Sequence, residues 1–177
     1  MSNIPLSERV SIWMEVEILS RLTPRDDPGP FFKWLFKAPI LYYKLGLGWM
    51  LGKRFLLLTT TGRKSGKSHC TPLEFVYNLQ EDSYRISPGW GGNTDWYKNL
   101  RHDPHVTVQV GRRKFAAIAE PAPDEESAKF MQNVSRRHPG MDKIWNRWTD
   151  RKVNGTWESY LHAAQFFPSV WLKPLDD

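Results

Sequence analysis

Apolar residues recur along this chain with two different periods, and the change of period divides it. Over residues 6–22, Leu6, Val10, Trp13, Met14, Val16, Leu19 and Leu22 fall at helical spacings, which predicts an amphipathic helix. The stretch Thr23-Pro24-Arg25-Asp26-Asp27-Pro28-Gly29-Pro30 then reads as a linker or turn. Residues 31–51 are strongly apolar but are interrupted by Lys33, Lys37 and Lys44, so no run reaches the roughly 18 uncharged residues of a membrane-spanning helix. Those lysines, at steps of four and seven, share one helical face, while Pro39 ends one short helix and opens the next. We expect this segment to pack on a sheet. A peripheral membrane contact, or a lid over an apolar substrate, is the alternative.

From Arg54 onward the pattern changes to that of strands. Arg54–Thr61 is a nearly continuous apolar run, expected to be buried on both faces. Residues 68–78, rich in β-branched and aromatic side chains, form the next strand, so the two make a hairpin. Ser83–Ser87 is a third strand. Asn93–His102 has helical spacing and is stopped by Asp103-Pro104. His105–Val110 alternates through Val106, Val108 and Val110; Gly111–Arg113 turns the chain, and Lys114–Glu120 pairs back. Asp124–Arg137 is a helix whose opening Asp124-Glu125-Glu126 suits the positive end of the helix dipole. Residues 140–150 and 156–165 read as shorter helices and Ser169–Lys173 as a last strand. Consecutive hairpins with helices inserted late predict an α+β protein on a small antiparallel barrel. The expected organisation is an N-terminal helix and linker over residues 1–30, then a single domain over 31–177.

Composition narrows the class. A chain of 177 residues with 40% hydrophobic and 14% aromatic side chains carries a real core and is not disordered. Nine tryptophans are many for this size; some belong to the core, and a site for a flat ligand would use others. The single cysteine, Cys70, excludes an intrachain disulfide and is read as a small residue packed in its strand. The acidic, helical start does not resemble a secretory leader, so a cytoplasmic location is expected, with membrane association as the variant. The net charge of +6 is localised: residues 28–73 hold eight basic side chains and no acidic one, whereas residues 74–177 hold fourteen of each. Such a segment attracts anions, whether a cofactor, a lipid surface or nucleic acid, unless it is simply a solvated face. Only that segment argues for nucleic acid, which is not expected as a partner.

The basic segment ends in Thr59-Thr60-Thr61-Gly62-Arg63-Lys64-Ser65-Gly66-Lys67-Ser68, which looks like a phosphate loop and fails as one. The pattern G-x-x-x-x-G-K-[ST] places Thr61 where the first glycine belongs, and a strand follows where a helix must open. What remains is a basic turn between strands, able to hold an anion with side-chain cations and turn amides. A second loop, Ser87-Pro88-Gly89-Trp90-Gly91-Gly92-Asn93-Thr94, leads from a strand into a helix, and its glycines let backbone amides approach a ligand closely. Taken alone, the loop reads first as a glycine turn with core aromatics; the functional alternative has Trp90, Trp96 and Tyr97 flank a planar ring. No metal set is expected, since His102 and His105 straddle a helix end and nothing completes them. A serine-hydrolase elbow is missing, and Glu125 and Glu126 read as helix-start charges rather than as a glycosidase pair.

The series Leu56-Leu57-Leu58-Thr59-Thr60-Thr61-Gly62-Arg63-Lys64-Ser65-Gly66-Lys67, Thr71-Pro72-Leu73, Ser87 with its glycines, Asp95-Trp96-Tyr97-Lys98-Asn99-Leu100, Asp103-Pro104 and Val106–Val110 resembles the deazaflavin (F420)-dependent nitroreductase family of the split β-barrel, FMN-binding-like superfamily. The resemblance covers roughly residues 50–121. It implies a split β-barrel with flanking helices and an oxidoreductase that passes a hydride from reduced coenzyme F420 to an electrophilic, largely apolar acceptor: a quinone, an activated alkene or a nitro compound. It also implies cofactor contacts at Arg63, Lys64, Ser65, Gly66, Lys67, His69, Thr71, Pro72, Leu73, Ser87, Gly91, Gly92, Trp96 and Asn99. Lys64 matches the lysine that meets the acidic tail. Tyr97 and Ser87 stand as proton donors, and Trp49, Met50, Trp145 and Trp148 as the acceptor's lining. Two positions depart from the family's pattern: His69 stands where many members carry arginine, and residues 138–148 contain no tyrosine. An FMN-dependent reductase on the same barrel, and a non-catalytic deazaflavin carrier, are the alternatives. Either a monomer or a homodimer is compatible with the chain.

Overall fold

The computed structural model describes residues 43, 45, 55–88, 92–137 and 140–175, apart from the Trp148 side chain. The expected helix over 6–22, the linker, most of residues 31–51, and the candidate residues Trp49, Met50 and Gly91 lie outside the described residues.

Among the described residues, seven strands form one antiparallel sheet: β1 (Phe55–Thr61), β2 (Ser68–Glu74), β3 (Val76–Asn78), β4 (Ser83–Ile86), β5 (His105–Val110), β6 (Arg113–Pro121) and β7 (Val170–Pro174). Their order is β2-β1-β5-β6-β7-β4-β3. The two strands at the ends of that order are consecutive in sequence, with only Phe75 between them. The sheet must therefore curl until its edges meet at this bend, which makes it a barrel. The predicted single strand over 68–78 is thus two strands. The first half pairs with β1 from Phe55↔Glu74 to Thr61↔Ser68, and the second pairs with β4 from Val76↔Arg85 to Asn78↔Ser83. Pro72 sits within β2, where the missing N–H is tolerated because β2 is paired on one side only.

Alternation fills the barrel. Leu56 and Leu58 from β1, Tyr84 and Ile86 from β4, Val106 and Val108 from β5, Ala117 and Ala119 from β6, and Val170 and Leu172 from β7 make one buried cluster. Each large side chain removed from water there contributes on the order of 1.5–3 kcal/mol. Helix α1 (Asp95–His102) closes over this cluster with Trp96 and Leu100. It starts two residues later than the sequence pattern suggests. Gly92 is in the left-handed region at φ 71, and Thr94 is extended at φ −71, ψ 145, so Thr94 takes the cap position.

Of the later described helices, α2 (Asp124–Arg137) and α4 (Trp157–Ala164) build a second cluster of Ala128, Met131, Tyr160, Ala163 and Ala164 with Val153 and Phe167, and α3 (Met141–Trp148) packs against it through the partly buried Trp145. Beneath α2, strand β4 is buried on both faces. Its Arg85 lies between the rings of Phe130 and Trp171, with the guanidinium carbon 4.8 and 4.1 Å from their centroids, and pairs with Glu126. Burial pulls the Arg85 pKa down while Glu126 pushes back. From the 31–51 segment, Tyr43 is buried and its hydroxyl donates to the Phe55 carbonyl at 2.7 Å, so at this residue the segment packs on β1 as expected. Cys70 corrects an expectation: it is in a strand but exposed, because it lies in the first half of β2, Ser68–Cys70, where both faces are open to solvent.

Candidate functional site

Thr61 pairs with Ser68, which leaves residues 62–67 to connect β1 to β2. The Gly62 N–H donates to the Lys67 carbonyl at 2.8 Å, and the Gly66 N–H to the Gly62 carbonyl at 2.8 Å, so the turn is closed on itself. Gly66 adopts φ 65, a conformation that L side chains resist. Gly62 is buried, and a Cβ there would stand 2.7 Å from His69 Nε2 and 2.8 Å from Ser65 Oγ. The missing side chain lets the imidazole and the serine lie against the turn.

Within this turn two neighbouring cations point different ways. Arg63 is turned in: its Nη1 donates to Asp95 Oδ1 and to Asn99 Oδ1, both at 3.0 Å, and its side chain is 26% exposed. Its backbone N–H also donates to Asn99 Oδ1, at 3.2 Å, while Asn99 Nδ2 donates to Thr60 Oγ1 at 3.3 Å. Lys64 and Lys67 are exposed, as are Ser65, Gly66 and His69, and no carboxylate pairs with either lysine among the described residues. An anion is attracted by unpaired ammonium groups far more than by a guanidinium already bonded to a carboxylate.

The other candidate residues are placed around this turn and along β2. Thr71, Pro72 and Leu73 are half-buried on β2, opposite Leu58, Leu57 and Leu56. Ser87 is exposed after β4, with its Oγ 3.5 Å from Ser169 Oγ, too long for a strong bond. Gly92 packs against Tyr97, where a Cβ would come within 3.5 Å of the ring. Trp96 is buried in the barrel core and meets Tyr97 edge-on at 5.9 Å. Asn99 is 3% exposed. Thr94 Oγ1, at the start of α1, is shut off from solvent and has no hydrogen-bond partner.

Trp145 stands apart from these. It packs on Phe167 at 5.3 Å and its Nε1 donates to Ser135 Oγ at 3.2 Å, within the helical cluster. Sequence reasoning missed Asp95 and Thr60 as partners of the turn. Asp95 lies 32 residues from Arg63, and only the hairpin's return to α1 brings them together.

The C-terminal end of α1 is fixed by Asp103. Its N–H caps the Asn99 carbonyl at 2.9 Å and its Oδ1 accepts from the His105 backbone N–H at 3.1 Å. That backbone bond, then the His105 side chain, holds the Asp103 carboxyl below the ordinary aspartate range. No cluster of three or more potential metal ligands occurs among the described residues, and no described helix is long and apolar enough to cross a membrane.

Comparison with known proteins identifies the family. A family model described as F420H(2)-dependent quinone reductase matches residues 43–154, a span that holds the turn, β2, the second loop and α1. An F420H(2)-dependent quinone reductase of Mycobacterium tuberculosis is 33% identical over 103 residues, covering 55% of this chain and 68% of that protein. A second protein of that organism, also named for F420H(2)-dependent quinone reduction, is 28% identical over 111 residues, 62% of this chain and 92% of its own length. Among solved structures, an F420-H2 dependent reductase is similar at 25% identity with a TM-score of 0.48, over 68% of this chain and 95% of that one. By the family match, the chain belongs to the F420H(2)-dependent quinone reductases, oxidoreductases that draw their hydride from the reduced deazaflavin.

Proposed function

We propose that Lys64, Lys67 and His69 hold the phosphate and glutamate tail of reduced F420, that the deazaflavin lies along β2 at Thr71, Pro72 and Leu73, and that the acceptor is a quinone. The observation that carries this reading is the division within the turn: Arg63 is consumed by Asp95 and Asn99, while the two nearby lysines are exposed and, among the described residues, unpaired. The donor set suits such a tail, because two ammonium groups, an imidazole and the Ser65 hydroxyl stand together with no carboxylate in the turn.

When bound, the reduced deazaflavin supplies a hydride and a proton, which together convert a quinone to its quinol. The chain's own residues orient and shield. Strand β2 offers a half-buried apolar surface with one side unpaired by any strand, and Gly92 and Tyr97 wall the end of the second loop. Orphaned Thr94 Oγ1 adds a polar group at that end. Ser87 is open to solvent and Tyr97 is half-buried, so a proton passing through Ser87 exchanges with water, whereas one held on Tyr97 is sheltered. No side chain is needed as a nucleophile.

Titration of the purified protein with F420 and with FMN, followed by tryptophan fluorescence, tests the cofactor assignment on which this placement rests. F420 is expected to bind and FMN to bind weakly or not at all; tight FMN binding without F420 binding would overturn it. Turnover with a quinone, an enone and a nitroaromatic then ranks the acceptors, with the quinone expected first. Cofactor binding without turnover of any of the three would point to a carrier.

A further inference from the structure

We propose that Asn99 is a positioning residue for the tail-holding turn, acting through Arg63 rather than on the cofactor. This rests on the reading of the turn given above. Asn99 is 3% exposed, and its amide is committed on both sides. Two obligate donors, the Arg63 backbone N–H at 3.2 Å and Nη1 at 3.0 Å, face the same atom, so that atom must be the oxygen. The nitrogen then faces Thr60 Oγ1, itself 2% exposed, at 3.3 Å. One side chain thus joins three elements: helix α1, the end of β1 and the first residues of the turn.

The consequence is directional. With its backbone N–H and its guanidinium both held by Asn99, Arg63 is fixed against α1, and the residues after it are carried outward to the exposed positions of Lys64 and Lys67. Asp95 shares the guanidinium, but its side chain is 87% exposed, and a solvent-exposed ion pair is weak because water screens it. The buried amide therefore sets the direction of the turn.

The test compares two ligands and two variants by fluorescence titration. The ligands are F420 and its riboside chromophore without phosphate or glutamates. Asn99→Leu removes every latch bond, and F420 binding is expected to weaken by about 10-fold or more, the scale of one or two lost hydrogen bonds, while the tailless chromophore binds within about 2-fold of its wild-type affinity. Asn99→Asp keeps an acceptor for both Arg63 donors, and the Thr60 hydroxyl reverses to donate, so F420 affinity is expected to stay within about 3-fold of wild type. Should the leucine variant not fold, Asn99→Ser, too short to reach Arg63, is measured in the same way with the same expectation.

Equal losses for the two ligands would overturn the proposal, since they would place Asn99 on the ring. An Asn99→Asp loss as large as the leucine loss would overturn it too, by making the amide N–H the group that matters. Lys64→Ala separates this proposal from the reading beneath it. If that variant leaves F420 affinity unchanged, the turn does not hold the tail. If it weakens F420 but Asn99→Leu does not discriminate between the ligands, only the latch fails.

Discussion

Two arginines fasten helices to this barrel, Arg63 to α1 and Arg85 to α2, and their surroundings differ in kind. Arg85 is 7% exposed, sandwiched between the rings of Phe130 and Trp171, and meets Glu126, which also accepts from Trp171 Nε1 at 2.6 Å. Arg63 is 26% exposed and lies in a polar cradle of one amide and one open carboxylate. In the first, a charge is taken out of water and depends chiefly on Glu126, the one carboxylate among the described residues that bonds it. In the second, water and Asn99 stand ready if the carboxylate is lost. A desolvated arginine is therefore structural in its energetics, and a partly solvated one is free to set the geometry of a surface turn.

The largest expected effect tests that contrast directly. Glu126→Leu strands the Arg85 charge and leaves the Trp171 N–H without its acceptor, and it should cost about 3 kcal/mol in denaturant unfolding, at the low end for a broken buried pair. The low end is chosen because the Glu126 side chain is 40% exposed. Asp95→Asn should cost less than about 1 kcal/mol, since its partner keeps Asn99 and water. Equal costs at the two sites would break the comparison.

Next in size is the binding energy at the free half of the turn. Lys64→Ala should weaken F420 binding by about 1–3 kcal/mol, the scale of a charge-assisted hydrogen bond, with the unfolding midpoint unchanged because the side chain is exposed and unpaired. Stability lost without affinity would show that the lysine serves the fold. Gly66→Ala lies between the two kinds of effect. At φ 65 an alanine costs about 1 kcal/mol or more, and nothing lies within 4 Å of the added Cβ, so the loss would measure backbone strain alone.

The split between the two halves of the turn was not legible in the sequence, although the turn itself was. Glycines at 62 and 66, the apolar run before them and the β-branched residues after them are local signals, and the hairpin they predict is present in register. The alternation Val106, Val108, Val110 likewise specifies β5, and Asp124–Arg137 is helical end to end, because its acidic start and basic finish both suit the helix dipole. Nothing local says which of two adjacent cations turns inward. That depends on Asp95 and Asn99, 32 and 36 residues away, and on a barrel that brings α1 back over β1. Arg85 was invisible for the same reason: a charge in a four-residue strand reads as solvent-facing until α2 covers it. The hairpin pattern predicted the barrel and the family resemblance added the cofactor, while the inward turn of Arg63 came from packing.

The smallest expected effect concerns how firmly α1, the helix that carries the latch, is held at its far end. Asp103 caps that end and accepts the His105 N–H, and this bond, more than the neighbouring imidazole or Thr61, holds its carboxyl below the ordinary range. A carboxyl whose folded pKa is lowered contributes stability that is complete above its unfolded value and is lost as pH falls through the folded one. The contribution should therefore be present at neutral pH and disappear only in the acid range. Solvent screening keeps it below about 1 kcal/mol, because the Asp103 side chain is 36% exposed. Asp103→Asn should match wild type at the acid end of a stability profile and fall below it as pH rises through the carboxylate range. A difference that grows toward acid would reverse the sign and remove Asp103 from the support of α1. An acid loss of F420 affinity that is absent from the variant would tie this end of the helix to the direction of the turn at the other.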